Sequence, residues 1–538
     1  LAGLVKILLA IEHGTIPPTL HLTRPNDHIR FEDTPFFPAV GPLPWRRDGA
    51  PRRAALSAFG MGGVNAHVVV EEPAPATRPT PPTGRSHVVT VTAPEEAGVR
   101  ALAGAYAEAV AALPVDEDLA AFAYTACAAR ARQRHRVAVH GRTRAELADR
   151  LAAVAAARPD AAPVARAGAV TTGPTVFLFT GQGSQYPGMG AGLYRHEPVF
   201  RSAIDDCAAL LRPLVDVPLD ELLFRSGADV LTRTDHAQVA IVAVQVGLVR
   251  LLEAWGVRPG HVIGHSVGEL TAAWAAGVMS LPDLMRTTAC RGRAMLAQPD
   301  TGSMAVLHAG PSACRELLSP YPDLEIAAHN GPANTTIAGP RETLARLRAA
   351  LTAAGNPIAM TPLSVSHAFH SRDMRGAVPA LREALAATGL RTPTIGFTST
   401  VTGTRHTGAT ATDPETYAAG LVRPVLFDEA LREVHATGPG VYWEIGPQPV
   451  LSRLAAGLSP TPAHVRATLA RGRDDSEHLH RHLTEHHNTA DPEVDPAGAL
   501  DGPCPGIADL PRFPFSRTRY WVGADGPGGG KRTDRTPL

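Results

Sequence analysis

The residue best placed to act as a nucleophile in this chain is a serine between two glycines. Ser266 lies in the pattern Gly264-x-Ser266-x-Gly268, between an apolar run typical of a short buried strand and an Ala- and Leu-rich run typical of a helix. A strand that turns sharply into a helix needs glycine beside the turning residue, because a Cβ there would collide. The turn exposes the hydroxyl and directs helix amides, including Val267 N–H, at any group bonded to it. An ordinary Gly/Ser turn is the alternative interpretation.

A second glycine-rich turn could contribute to the same site. The segment TGQGSQ (residues 180–185) follows a predicted strand at 176–179 and precedes a predicted helix. A loop of this kind can offer a backbone N–H, that of Gln182, opposite the serine. A plain strand-to-helix connection is the alternative.

The elements that must position these turns form a predicted domain over residues 173–472. A long apolar helix is expected over 239–255 and another over 282–296, the latter with Arg291 and Arg293. Residues 303–362 show the order β-α-β-β-α-β, which is typical of a ferredoxin-like subdomain. This subdomain should form the second wall of a cleft, and its last strand leads into SHAFHS (366–371), which brings a histidine to that cleft.

The flanking segments predict four further parts. They are a helix, a Pro-rich loop and a Gly-rich segment leading into a strand (1–72), a linker and small α/β module (73–172), a post-domain segment (473–523), and a flexible tail (524–538). In the post-domain segment, His478, His482 and His486 have helical spacing. These histidines could form a metal-binding stripe, but no carboxylate or cysteine completes a site, so the pattern favours a solvated helix. Residues 510–521 are expected to form an extended aromatic strap.

Composition excludes several classes of function. The formal net charge is zero and 44% of residues are hydrophobic, so nothing indicates a surface for nucleic acid or anionic membranes. The longest apolar run is too short to cross a bilayer. Lys6 and Lys531 are the only lysines, which removes Schiff-base chemistry from the core. The five cysteines show no CxxC pair, which favours a reducing cytoplasm and argues against structural zinc. The chain begins as if in mid-helix and is interpreted as a fragment.

Together these segments resemble the malonyl-type acyltransferase domain of type I modular polyketide synthases, and the free-standing bacterial malonyl-CoA:acyl carrier protein transacylase. The matching motifs are FTGQGSQ (179–185), GHSVGE (264–269), RGR (291–293), HNGPANTTIAG (329–339), SHAFHS (366–371) and EIGPQPVL (444–451). Residues 1–72 resemble the C-terminal end of a ketosynthase, and 73–172 the linker between ketosynthase and acyltransferase. Cys127 lies in a motif reminiscent of the ketosynthase nucleophile but within a helical pattern, and is interpreted as a packed thiol.

The resemblance implies an α/β fold: an α/β-hydrolase-like core with a parallel sheet and nucleophile elbow, a ferredoxin-like subdomain, an α/β linker domain and a truncated, thiolase-like ketosynthase end. It implies Ser266 as nucleophile and His370 as base, without an Asp. The carbonyl that orients His370 is expected after Ile445-Gly446-Pro447. Val267 and Gln182 N–H groups would form the oxyanion hole.

Arg291 is predicted to bind the free carboxylate of a malonyl group, because a guanidinium matches a carboxylate with two parallel hydrogen bonds. Arg293 is assigned to the surface. Asn334 and Gln238 align with polar residues near the family's site and are weaker candidates. The resemblance favours malonyl over methylmalonyl through His367, Phe369 and Val267, with Phe369 filling the space that an α-methyl needs. One methyl is worth only about 1–3 kcal/mol of discrimination, so leakage is expected.

The predicted reaction is ping-pong transfer of malonyl from malonyl-CoA through an acyl-serine to the phosphopantetheine thiol of an acyl carrier protein. No bound cofactor and no metal are implied. The expected partners are the carrier domain and the rest of the synthase, with a homodimer formed through the complete ketosynthase, no nucleic acid and no membrane. Two rivals remain open: a proofreading acyl hydrolase on the same fold, and a docking scaffold that has lost activity.

Overall fold

The computed structural model describes residues 1–73, 85–166, 173–438, 440–457, 464–489, 495 and 509–514. The chain divides into two compact units, residues 1–78 and residues 79–538. Three sequence-based predictions lie outside the described ranges: most of the linker that begins at residue 73, the end of the aromatic strap (515–521) and the tail (524–538).

The first unit is a helix with two antiparallel strand pairs. Its elements are α1 (Ala2–His13), β1 (Thr15–Ile16), β2 (Leu43–Pro44), β3 (Arg53–Phe59) and β4 (Asn65–Glu71). β1 pairs with β2, and β3 and β4 form a hairpin whose turn holds Gly63 at a φ of 83°. The predicted N-terminal helix is confirmed. Many apolar side chains of the unit are exposed, among them Phe59 (80%) and Met61 (108%), so its described residues form little core of their own.

A small α/β module opens the second unit. Its elements are β5 (His87–Ala93), α2 (Glu96–Ala111), α3 (Leu119–Ala128), β6 (His135–Gly141), α4 (Arg144–Ala155) and β7 (Ala165–Arg166). The strands form an antiparallel sheet in the order β5-β6-β7, and the predicted alternation of strands and helices is confirmed. Cys127 Sγ donates to Val88 O at 3.4 Å, and burial raises the pKa of its thiol to about 11. Such a thiol carries no thiolate at neutral pH, which agrees with the packed role predicted for it.

The central domain begins with two parallel strands and the helices between them. These elements are β8 (Thr175–Phe179), α5 (Ala191–His196), α6 (Pro198–Leu211), α7 (Leu219–Phe224), α8 (Ala228–Thr232), α9 (Thr234–Ala254), β9 (His261–Gly264), α10 (Gly268–Ala275) and α11 (Leu281–Leu296). By length and composition α9 could cross a membrane, but 83% of its most apolar window is buried inside the protein, where it serves as the core helix. It begins at Thr234, five residues before the predicted start at Val239. Residues 234–238 are mostly polar but are buried in the fold, so hydrophobicity alone does not show that they belong to the helix.

The ferredoxin-like subdomain follows α11. It consists of β10 (Gly302–Leu307), α12 (Pro311–Leu318), β11 (Glu325–Gly331), β12 (Asn334–Pro340), α13 (Arg341–Ala353) and β13 (Met360–Pro362). The predicted element order β-α-β-β-α-β is confirmed, and these four strands lie in the order β13-β10-β12-β11 with antiparallel neighbours.

The chain then returns to the central domain. The remaining elements are α14 (Val378–Ala386), β14 (Gly396–Thr398), α15 (Gly408–Ala411), α16 (Pro414–Ala419), β15 (Val425–Leu426), α17 (Phe427–His435), β16 (Val441–Ile445), α18 (Leu451–Ala455), β17 (His464–Ala467) and α19 (Asp475–Thr489). The central sheet has the order β14-β9-β8-β16-β17, and every pairing is parallel. β15 adds a parallel edge strand to the ferredoxin-like sheet beside β11. Since β8 and β9 are neighbours, the turns that follow them meet at one edge of the sheet, where ligands of such folds bind.

Helix α19 lies between the small module and the central domain, so the prediction of a solvated helix is wrong. His480 and His486 are 3% and 1% exposed. The Asn488 amide accepts from Ala138 N at 2.7 Å and donates to Ala138 O at 2.9 Å, while Trp443 Nε1 donates to His486 Nδ1 at 3.2 Å. Because α19 packs against protein on both sides, it needs no polar face toward solvent. Its buried histidine rings pack among apolar groups in their neutral form.

The histidine stripe of α19 does not form a metal site in the described part of the chain. Arg481 Nη2 lies 3.2 Å from both His478 Nδ1 and His482 Nε2, so a cationic side chain occupies the position between the rings. His482 Nδ1 contacts Glu485 Oε2 at 2.9 Å.

We expect the protein to lose stability on acidification below about pH 6.5. Burial lowers the pKa of His140 to about 3 and those of His261 and His478 to about 4. The unfolded chain binds protons at these histidines from about pH 6.5 downward and the folded chain does not. Each therefore lowers the free energy of unfolding by up to ~1.4 kcal/mol per pH unit. Thermal unfolding followed by circular dichroism from pH 8 to pH 5 measures this.

Several buried carboxyl groups, Glu444 among them, act in the opposite direction, because burial raises their pKa values. Burial raises the pKa of Glu197 to about 7 and that of Asp475 to about 6, so their ionisation costs stability as the pH rises through that range. The histidines outnumber them, so the net change should follow the histidines. A Tm that stays constant or rises between pH 6.5 and pH 5 would contradict this expectation.

Candidate active site

The turn after β9 has the backbone geometry of a nucleophile elbow. Ser266 adopts a φ of 54°, a left-handed conformation that is rare outside glycine. A Cβ on Gly264 would meet Glu269 N at 2.3 Å, and one on Gly268 would meet Phe179 O at 2.4 Å. Both flanking glycines are therefore required by close approach of backbone.

The predicted nucleophile and base are hydrogen-bonded to each other. Ser266 Oγ lies 2.7 Å from His370 Nε2, and His370 Nδ1 donates to Gly420 O at 2.8 Å. Because a carbonyl only accepts, the proton on the ring sits at Nδ1 and Nε2 is free to accept from the serine hydroxyl. Burial, with Arg291 and His265 nearby, lowers the pKa of His370 to about 3, so the ring is neutral at physiological pH.

The predicted source of the orienting carbonyl was wrong. The segment after Ile445 supports the other side of the site: Gln448 Nε2 donates to Ser184 O at 3.0 Å, in the loop after β8. The acceptor is instead Gly420, at the end of α16. A Cβ on Gly420 would lie 3.0 Å from the Val401 side chain, so this residue is enclosed next to the pocket wall.

The two predicted oxyanion donors lie on adjoining turns. A Cβ on Gly181 would lie 2.9 Å from His265 O and 3.3 Å from Ser266 Cβ, which places the loop after β8 directly against the elbow. Among the hydrogen bonds of residues 173–438, none uses the N–H of Val267 or that of Gln182. Both donors are available to a ligand on Ser266.

Arg291 is a buried cation beside the nucleophile. It is 4% exposed, its Nη1 donates to Gln238 Oε1 at 2.7 Å, and its Nη2 donates to Ser266 Oγ at 3.3 Å. Burial lowers its pKa to about 10, so it stays charged at neutral pH. Among the described residues no carboxylate lies within ion-pair distance of it. Arg293, two residues along, is exposed and donates to Leu214 O.

Close helix packing brings Arg291 and Gln238 together. A Cβ on Gly292 would lie 2.7 Å from Asp235 Cα, so only glycine allows α9 and α11 to approach this closely. Gln238 is fully buried. Gln238, a weaker candidate from the sequence, thus contacts Arg291 directly. Asn334 accepts a hydrogen bond from Asn330 Nδ2 at 3.2 Å, and Asn330 in turn contacts His265 of the elbow.

The lining of the pocket does not include the predicted specificity residues Val267, His367 and Phe369. His367 and Phe369 are 2% and 5% exposed and stack with ring centroids 5.7 Å apart. His367 Nε2 donates to Gln298 O at 3.0 Å.

The pocket itself opens at the nucleophile. Ser266, Arg291 and His370 lie on it together with residues from α10, α14, α16 and the segment before β15. The lining residues are Ser266, Glu269, Leu270, Arg291, His370, Leu381, Thr400, Val401, Tyr417, Gly420, Arg423, Pro424 and Val425.

Sequence reasoning missed several residues that support this pocket. Thr400 Oγ1 donates to Gly264 O at 2.6 Å and lies 3.0 Å from Glu269 Oε2, so the pocket wall is tied to the elbow. His265 Nε2 lies 2.9 Å from Asn330 Oδ1, which joins the elbow to the ferredoxin-like subdomain. Glu269 was visible as the last residue of GHSVGE, but no local pattern indicates its distant partners.

One cluster of metal-ligand type occurs among the described residues: Asp216, Asp235 and His236. His236 uses both ring nitrogens, with Val230 O at 3.0 Å and Asp216 Oδ1 at 2.7 Å. Arg233 pairs with both carboxylates. The cluster is an ion-pair network at the start of α9.

Family models match most of the chain. Residues 176–492 match the acyl transferase domain, and residues 25–165 match the ketoacyl-synthetase C-terminal extension. The spectinabilin polyketide synthase system protein NorA' of Streptomyces orinoci is 36% identical over 98% of this chain, and the erythronolide synthase EryA2 of Saccharopolyspora erythraea is 35% identical over 97%. The chain spans only 15% of the length of each of these relatives.

Solved structures agree with the predicted fold class. The acyltransferase domain from module 8 of the salinomycin polyketide synthase is 32% identical, with a TM-score of 0.65 over 78% of this chain and 99% of that one. The acyltransferase domain of SpnD, in complex with a 2-(pent-4-yn-1-yl)malonyl group, is 31% identical, with a TM-score of 0.65 over 77% of this chain and 98% of that one. On this evidence the chain belongs to the acyltransferase-domain family of type I polyketide synthases.

Proposed function

We propose that this acyltransferase moves a malonyl group from malonyl-CoA, through an ester on Ser266, to the phosphopantetheine thiol of an acyl carrier protein. The observation that carries the proposal is the Arg291 guanidinium, which is buried with no carboxylate of the described residues within ion-pair distance and lies 3.3 Å from the nucleophilic oxygen. A buried cation is stable only when an anion or several hydrogen bonds compensate it. The free carboxylate of a malonyl thioester supplies that anion when the thioester carbonyl is at Ser266.

The first half-reaction follows from the hydrogen-bond directions. Ser266 Oγ gives its proton to His370 Nε2 and attacks the thioester carbonyl, and the N–H groups of Val267 and Gln182 stabilise the oxyanion. Each such donor is worth on the order of 10²–10³ in rate. The carbon–sulfur bond then breaks, and the proton on His370 passes to the departing CoA thiolate.

The second half-reaction runs in reverse with a different thiol. The carrier thiol gives its proton to His370 and attacks the ester carbonyl, the carbon–oxygen bond breaks, and Ser266 regains its proton. The Gly420 carbonyl holds the imidazole in one tautomer throughout. No bound cofactor or metal takes part in these steps.

The preference for malonyl over methylmalonyl belongs to the proposal as well. Its support is the sequence resemblance carried by Val267, His367 and Phe369, none of which belongs to the lining of the pocket. The related SpnD domain holds a 2-substituted malonyl group, which supports a carboxylated, malonyl-type acyl group in this site but not the preference against an α-methyl.

The setting of the domain is also proposed. Residues 1–72 would be the end of a ketosynthase, 73–172 its linker to the acyltransferase domain (173–472) and 473–523 the post-domain linker, within a cytoplasmic synthase. The partners would be a carrier domain and the remaining synthase domains, with dimerisation through the complete ketosynthase.

The experiment is a measurement of how long the acyl group stays on the protein. After exposure to labelled malonyl-CoA without any carrier, the protein should retain a malonyl ester on Ser266, detected by intact-protein mass spectrometry, and added carrier protein should remove it. Rapid release of free malonate to water would favour the hydrolase instead. No covalent label at all would favour the inactive scaffold.

A further inference from the structure

A series of hydrogen-bonded polar side chains, most of them buried, leads away from Arg291. Its Nη1 donates to Gln238 Oε1 at 2.7 Å, and Gln238 Nε2 donates to Gln182 Oε1 at 3.4 Å. Gln182 Nε2 then donates to Thr234 Oγ1 at 3.3 Å. The side chain of Gln182 thus joins this series while its backbone N–H faces the nucleophile.

The same series of hydrogen bonds continues into the segment that carries His370. Thr234 Oγ1 lies 3.5 Å from Ser366 Oγ, and Ser366 Oγ lies 2.6 Å from His367 Nδ1. His367 Nε2 lies 3.0 Å from Gln298 O, just beyond the helix that bears Arg291. The series of contacts therefore begins on α11, at Arg291, and ends at Gln298, two residues after α11 ends.

Only one direction of donation satisfies every link. The Gln298 carbonyl can only accept, so His367 carries its proton at Nε2 and accepts at Nδ1 from the Ser366 hydroxyl. Ser366 then accepts from Thr234, which accepts from the Gln182 amide. At the other end a guanidinium can only donate. Both ends thus impose the same direction on the amides and hydroxyls between them.

We propose that this relay positions the Arg291 guanidinium for the substrate carboxylate, and that Thr234 and Ser366 are positioning residues of the acyltransferase. The relay is defined as the side chains of Arg291, Gln238, Gln182, Thr234, Ser366 and His367. His367 influences substrate choice through it, from outside the pocket. The inference rests on the proposed function, because its readout is the preference for a carboxylated acyl group.

Thr234 is the link to remove. Its two contacts, at 3.3 and 3.5 Å, are long, so a substitution there divides the relay while the short contacts at both ends stay in place. Thr234→Val removes the hydroxyl and keeps the shape, and Thr234→Ser keeps the hydroxyl. Thr288→Val is the matched control, because Thr288 is fully buried on α11 and its hydroxyl makes no hydrogen bond among the described residues.

The measurement is the ratio of kcat/KM for acylation by malonyl-CoA to that by acetyl-CoA, taken on one preparation so that any loss of folded protein cancels. We expect Thr234→Val to lower the ratio about three- to tenfold. Thr234→Ser and Thr288→Val should stay within about twofold of the parent, a margin smaller than one hydrogen bond. Ser366→Ala should match Thr234→Val, and the double variant should lose no more than either single one, because both divide the same relay.

A ratio for Thr234→Val equal to that for Thr288→Val, or additive losses in the double variant, would overturn the relay. The proposed function has a separate criterion. If Arg291→Ala leaves the preference for malonyl-CoA intact, the carboxylate assignment itself fails. If Arg291→Ala abolishes the preference while Thr234→Val keeps it, only the relay fails.

Discussion

Replacing Ser266 with alanine is expected to abolish covalent loading by malonyl-CoA, with a fall in acylation rate on the order of 10⁴ or more. The substitution removes the only atom that accepts the acyl group, while the N–H donors of Val267 and Gln182 and the cation of Arg291 remain. Intact-protein mass spectrometry after exposure to malonyl-CoA measures the result directly.

Ser202→Ala is the matched control for this experiment, because Ser202 lies exposed on α6, away from the pocket. It should load as the parent does. Equal loading of Ser266→Ala and Ser202→Ala would place the acyl group elsewhere and remove Ser266 from the mechanism. Loss of loading in both would indicate damage unrelated to the hydroxyl.

The second large effect concerns Arg291. Arg291→Ala should lower acylation by malonyl-CoA about 10²–10³-fold, because truncating one partner of a buried, hydrogen-bonded charge pair costs about 2–5 kcal/mol, largely by leaving the other charge unpaired. Acylation by acetyl-CoA, which carries no free carboxylate, should stay within about tenfold of the parent, since an uncharged acyl group gains no charge-assisted hydrogen bond. The measurement is kcat/KM for both thioesters with each variant.

Arg293→Ala controls for residue type and helix, because Arg293 lies two positions further along α11 with its side chain exposed. It should leave both thioesters unaffected. Arg291→Lys should recover only part of the malonyl reaction, since an ammonium group lacks the planar fork that meets both carboxylate oxygens. An equal loss for malonyl-CoA and acetyl-CoA in Arg291→Ala would mean that the guanidinium supports Ser266 and not the substrate carboxylate.

Much of the fold could be predicted because the local sequence preferences of its segments agree with the way those segments pack in the tertiary structure. The order β-α-β-β-α-β at 303–362 appears in the structure with the strand order of the ferredoxin-like motif. The glycines around Ser266 predicted a tight turn. In the structure, a Cβ on Gly268 would lie only 2.4 Å from Phe179 O, so a larger residue does not fit there. The predicted start of α9 at Val239 was wrong because the residues before it, 234–238, are mostly polar, whereas in the fold the side chains of Thr234, His236 and Gln238 bond to distant groups.

The parts of the site that escaped prediction depend on backbone atoms and on long-range partners. Every residue offers a carbonyl, so nothing in the local sequence singled out Gly420 as the acceptor for His370. The histidines of α19 were read as solvated because their neighbours in sequence are polar, but their neighbours in space include Trp443 and Trp255. The relay from Arg291 to His367 joins segments that only the folded chain brings together.

The placement of α19 has a consequence for recombining synthases. A graft that ended at residue 472 would leave behind the helix that satisfies Ala138 N–H and C=O and the Trp443 indole. Both the donor and the recipient protein would then expose the apolar surface that α19 normally covers. Polar atoms on that surface would lack their hydrogen-bond partners. A junction placed beyond residue 489 would transfer α19 together with its domain, so this surface would stay covered.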